Sequence, residues 1–68
     1  MKQVAQSTFI DPTGIVHVFN HIEDREGTAY QWVDITGHQV AFMRGHTMDF
    51  NLWVAEVVRG ICLAAEIL

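Results

Sequence analysis

From Met48 to the last residue, 15 of 21 side chains are apolar, and they recur at the spacing of an α-helix. At about 100° per residue, Phe50, Trp53, Val54, Val57, Val58, Ile61, Ala64, Ala65 and Leu68 fall on one broad stripe. A helix of this kind gains most of its stability by burying that stripe against other structure. The preceding residues must supply the surface, and in a chain of 68 residues it can only be small. Thr47 is expected to cap the helix, with Asp49 in the first turn where the helix dipole favours a carboxylate. Asp49, Glu56, Arg59 and Glu66 interrupt the apolar run at roughly 2.5 to 3.5 kcal/mol each near a bilayer centre, so a membrane span is not expected.

Upstream, the hydrophobic period changes to two. Residues 4–10 (VAQSTFI) lead into Asp11-Pro12-Thr13-Gly14, which has the corner residues of a type I turn, and 15–22 (IVHVFNHI) follow as a second strand. A charged loop, 23–27 (EDREG), separates it from a third run, Thr28 to Val33. Asp34-Ile35-Thr36-Gly37 suits a three-residue hairpin with a glycine bulge, and His38 to Met43 is the fourth strand. The expected fold is α+β, a four-stranded antiparallel meander followed by one long C-terminal helix packed on one sheet face (ββββα), in a single domain over residues 1–68 without internal repeats.

Pairing Trp32 with Val40, Tyr30 with Phe42 and Val18 with Trp32 puts Val16, Val18, Ile22, Tyr30, Trp32, Val40 and Phe42 on the core face. The other face then carries Ile15, His17, Phe19, His21, Gln31, Val33, Ile35, Ala41 and Met43. That set is mixed, whereas a solvated antiparallel face is normally polar. His17, Phe19, His21, Val33 and Met43 are accordingly expected to form a docking surface. The register of the first strand stays open, because the Pro12-Thr13 turn fits two pairings.

A chain this short buries only about 60% of its unfolded surface, and its single cysteine, Cys62, offers no internal disulfide. Half its residues are apolar and 18% are charged, which excludes intrinsic disorder and makes a second subunit the natural support. Leu52, Leu63 and Ile67 lie off the core stripe and share a side with Glu56, Arg59 and Gly60. A mid-helix glycine costs about 1 kcal/mol relative to alanine and calls for a packing reason. We therefore expect a homodimer through Leu52, Glu56, Arg59, Gly60, Leu63 and Ile67. The alternative is that this seam packs on the N-terminal strand, with Gly60 making room for Trp53.

The net charge is −4, the pI is near 5.3, and Lys2, Arg25, Arg44 and Arg59 are scattered, so nothing forms a phosphate-tracking stripe. With no signal-like N-terminus, a cytoplasmic location is expected. Glu23, Asp24 and Glu26 form an expected acidic patch that, with Glu56 and Glu66, favours a protein partner with a basic surface. Small size and acidic charge are shared with phage and mobile-element inhibitors that block basic nucleic-acid-binding surfaces.

His17 and His21 have a zinc-like spacing, but four residues along a strand span about 13 Å, too far for one ion. His38, His46 and Cys62 add no finger-like spacing, so neither metal nor cofactor is expected. His38 is expected beside Asp34 across the hairpin tip, where no cleft would position a substrate, and Cys62 reads as a small hydrophobe. No enzyme is expected. The order of four strands and then a helix is similar to one unit of the Whirly and coactivator-type single-strand-binding proteins. That resemblance, in element order alone, implies a second function class, with bases stacking on Phe19, Tyr30, Trp32 or Phe42.

Overall fold

A computed structural model describes residues 1–45 and 48–67. It contains four strands, β1 (Lys2–Ile10), β2 (Val16–Asp24), β3 (Gly27–Asp34) and β4 (Gln39–Arg44), followed by one helix, α1 (Phe50–Ile67). The strands form one antiparallel sheet in chain order, the expected ββββα arrangement. The described helix is not long and apolar enough to cross a membrane.

Two of the three hairpins close with the same chemistry. Gly14 N–H donates to the Asp11 carbonyl at 2.9 Å, and Asp11 N–H donates to the Ile15 carbonyl at 2.9 Å. Gly37 and His38 repeat both bonds with Asp34, each at 3.0 Å. Asp11 Oδ1 accepts from Thr13 N–H, the Thr13 hydroxyl and Ile15 N–H, and Asp34 Oδ1 accepts from the matching groups of Thr36 and His38. Gly14 and Gly37 have φ of +89° and +87°, a region that glycine alone enters readily. The chain thus carries one turn motif, Asp-x-Thr-Gly, twice at the same end of the sheet, where no repeat was expected.

The pairing register departs from expectation on both sides of β3. Asp24 pairs with Gly27, so the charged loop shrinks to the two residues Arg25 and Glu26, and Phe19 rather than Val18 faces Trp32. At the other hairpin Val33 pairs with Gln39, the expected register, but a bulge then inserts Val40 and sets Trp32 opposite Ala41 and Tyr30 opposite Met43. A slip of one residue turns every side chain of a strand to the other face. Tyr30 and Trp32 keep their expected side, while β2 and β4 are inverted: Phe19, His17, His21 and Met43 turn inward, and Val16, Val18, Ile22 and Phe42 turn away from the helix.

The core is an aromatic cluster between sheet and helix, built from buried Phe19, Tyr30, Phe50 and Trp53. Phe19 meets Trp53 edge to face at 5.7 Å, and Tyr30 lies 5.4 Å from both Phe50 and Trp53. Such pairs each add about 0.5 to 1.5 kcal/mol beyond the area they bury. The Tyr30 hydroxyl donates to the Met48 carbonyl at 2.8 Å, tying the approach to α1 onto the sheet. Val54, Val57, Val58 and Ile61 pack beside the cluster, as the helical period requires. Ala65 is half-buried but Ala64 is exposed, and Leu68 lies outside the described residues. Asp49 caps the helix: its carbonyl accepts from Trp53 N–H at 2.9 Å and its Oδ2 from Asn51 N–H at 3.0 Å. Thr47, the expected cap, lies outside the described residues.

Candidate interaction surfaces

The groups with chemical potential are engaged inside the fold. His17 Nε2 is 2.8 Å from Asp11 Oδ2, and Trp32 Nε1 is 3.1 Å from His17 Nδ1. An indole N–H can only donate, so Nδ1 accepts and the imidazole hydrogen sits on Nε2, donated to Asp11. Both ring nitrogens are thereby used, Nε2 on the β1–β2 turn and Nδ1 on β3. The hydroxyl of Thr13 and the ring of His17 hold the Asp11 carboxyl well below the usual carboxylate range. Asp34 is lowered too, chiefly by the Thr36 hydroxyl. His21 lies against the rings of Tyr30 and Phe50, with its buried Nε2 unpaired. His38 is exposed and meets Asp34 through its backbone, its N–H donating to Asp34 Oδ1 at 3.0 Å. Cys62 is half-buried, and His46 lies outside the described residues. Among the described residues no cleft is present, and no three potential metal ligands converge.

The expected docking surface is therefore corrected. His17, Phe19, His21 and Met43 belong to the side covered by α1, and Phe19 is fully buried. Of the five residues, Val33 alone faces away from the helix. The stacking aromatics fare similarly: Phe19, Tyr30 and Trp32 line the helix side, leaving Phe42 outward.

The face that no helix covers has its own order. Gln6 Nε2 donates to Asn20 Oδ1 at 2.9 Å, Asn20 Nδ2 to Gln31 Oε1 at 3.2 Å, and Gln31 Nε2 to Gln39 Oε1 at 3.0 Å. This amide ladder crosses all four strands. Ile10, Val16, Val18 and Val33 lie on one side of it, and Ile22, Ala29 and Phe42 on the other, by strand alternation. Ile10 is 64% and Phe42 42% exposed. Arg44 stacks 5.3 Å above the Phe42 ring and grips both carboxylate oxygens of Asp24, at 2.8 and 2.9 Å. Glu26 also approaches Arg44, at 3.5 Å. The expected acidic patch is thus an ion-paired turn in which Arg44 neutralises much of Asp24 and Glu26, and Glu23 is exposed with no ion pair among the described residues. That guanidinium is the largest cause lowering the Asp24 carboxyl.

On the other side of the molecule the outer surface of α1 is open. Leu52 is 60% and Leu63 50% exposed, with Asn51, Ala55, Glu56, Arg59, Gly60 and Ala64 around them. A Cβ placed on Gly60 would meet nothing within 4 Å, so the idea that this glycine makes room for Trp53 is overturned. The side chain of Ile67 lies outside the described residues. The surface of 4695 Å² exceeds the roughly 4,300 Å² expected of a monomer of 7.7 kDa. The radius of gyration, 12.3 Å, likewise exceeds the value of about 11 Å for a compact chain of this length. No protein-family model, curated protein or solved structure matches this chain.

Proposed function

We propose that the protein is a small non-catalytic protein–protein interaction module, which self-associates through the outer face of α1 and offers its uncovered sheet face to a second protein. The observation that carries this reading is the exposure of large apolar side chains on opposite sides of the molecule, Leu52 and Leu63 on the helix and Ile10 and Phe42 on the sheet. Apolar exposure on the outer helix face and on the uncovered sheet face supports interaction sites there. Phe42 and Arg44 supply an anchor of the type enriched at interface centres, and Asp24 holds that anchor in place before any partner arrives. The net charge of −4 favours a partner with a basic surface, the property that a blocker of nucleic-acid-binding proteins would use.

Light scattering behind a sizing column tests the self-association. The wild-type mass is expected above the 7.7 kDa of one chain, falling toward it in Leu63→Glu with an unchanged circular dichroism spectrum. Phe42→Glu should keep the wild-type mass. A wild type that stays monomeric at about millimolar concentration, a range that detects even weak dimers, refutes self-association.

A further inference from the structure

We infer that α1 pairs with α1 of a second copy in one antiparallel register, about a twofold axis at the height of Val57 and Val58. The inference rests on the self-association proposed above and adds its geometry. The exposed residues of the helix between Asn51 and Ala64 form two rows at a spacing of four, Asn51-Ala55-Arg59-Leu63 and Leu52-Glu56-Gly60-Ala64. A twofold axis across the helix midpoint reverses height along the helix and sets residues equally far from it at one level. Near the middle of the exposed face, Leu52 then meets Leu63 of the second copy and Glu56 meets Arg59.

Each of these meetings is chemically matched, and each occurs twice. Among the described residues, the two leucines are the large apolar side chains exposed on this helix. Glu56 and Arg59 carry opposite charges, and neither makes an ion pair with the described residues of its own chain. Ala55 and Gly60 flank these contacts and are small, and the space beyond Gly60 is empty. Other registers lose the match. Sliding one helix by four residues sets Glu56 against Leu63 and Arg59 against Gly60, whereas a parallel pair sets Glu56 against Glu56.

The packing geometry agrees. A shallow, coiled-coil-like crossing of about 20°, with axes about 8 to 10 Å apart, keeps the leucine and charge contacts together. Glu56 and Arg59 lie about 2 Å along the helix from the axis, and the leucines about 8 Å, where the gently diverging helices are still within side-chain reach. Only one helix face per chain is used, so the buried area falls at the low end, near or below about 1,200 Å², and a micromolar dissociation constant is expected.

Sedimentation equilibrium from about 10 µM to 1 mM brackets that affinity. Glu56→Arg and Arg59→Glu each replace two attractions by two repulsions and should raise the dissociation constant at least about tenfold. The double variant restores both attractions and should return to within about threefold of the wild type. Mixed with the wild type, the double variant meets it with like charges at both contacts, acid on acid and base on base, so mixed dimers should be depleted. Preferential mixed dimers would mean a parallel pair, and single reversals without effect would mean a different contact. Either result overturns the register while leaving self-association standing. A wild type that is monomeric throughout would overturn self-association itself.

Discussion

Phe19→Leu and Phe42→Leu make the same chemical change on opposite faces of one sheet, and the structure assigns them different consequences. Phe19 is fully buried, with Trp32 at 6.0 Å and Trp53 at 5.7 Å. Leucine keeps most of the apolar area but loses both ring contacts, at about 0.5 to 1.5 kcal/mol each, so a loss of about 2 kcal/mol is expected. In a domain of this size that lowers Tm by about 8 to 16 °C. Phe42 is 42% exposed, and its ring contact is the stacked Arg44 guanidinium. An exposed contact of that kind is worth about 0.5 to 1 kcal/mol, so Phe42→Leu should move Tm by only a few degrees. Thermal unfolding followed by circular dichroism at fixed protein concentration compares the two. A Phe42→Leu loss equal to or larger than that of Phe19→Leu would refute the register, because Phe42 would then be the core residue.

Gly60→Ala should stabilise the dilute monomer by about 1 kcal/mol in urea unfolding, since no neighbour opposes the added methyl. Asn20→Leu removes the central member of the amide ladder and leaves partly buried Gln31 without its donor, so a loss of about 1 to 3 kcal/mol is expected by urea titration. Asp11, Asp24 and Asp34 are held below the ordinary carboxylate pKa, so their stabilising contribution is full above that pKa and declines as pH falls below it. Midpoints measured from pH 7 to pH 2 should drop on the acid side, and Thr13→Val combined with Thr36→Val should flatten that drop.

Fold order was legible because its determinants are local. Asp11-Pro12-Thr13-Gly14 and Asp34-Ile35-Thr36-Gly37 name their own turns, and the stripe from Phe50 to Ile61 names the buried side of α1. Strand register was not legible, for two physical reasons. A two-residue turn at Arg25-Glu26 and a longer loop are equally compatible with EDREG, and the bulge at Val40 has no glycine to announce it. In β2 the pattern cannot arbitrate, because Val16, Val18 and Ile22 on one side compete with Phe19 on the other. The docking surface was misplaced for this reason, and the amide ladder, which only the right register assembles, was missed. The repeated Asp-x-Thr-Gly was present as two identical patterns 23 residues apart and needed only comparison of the turns. The helix seam needed no register, and its described residues lie where the period placed them.

Self-association through α1 is tested most directly by backbone amide chemical shifts in a dilution series from about 1 mM to 10 µM, a range that spans a weak dimer. Concentration-dependent shifts should centre on Leu52, Ala55, Glu56, Arg59, Gly60 and Leu63 and leave Gln6, Asn20, Gln31 and Phe42 unmoved. Shifts that follow the amide ladder instead, or none at all, would contradict it.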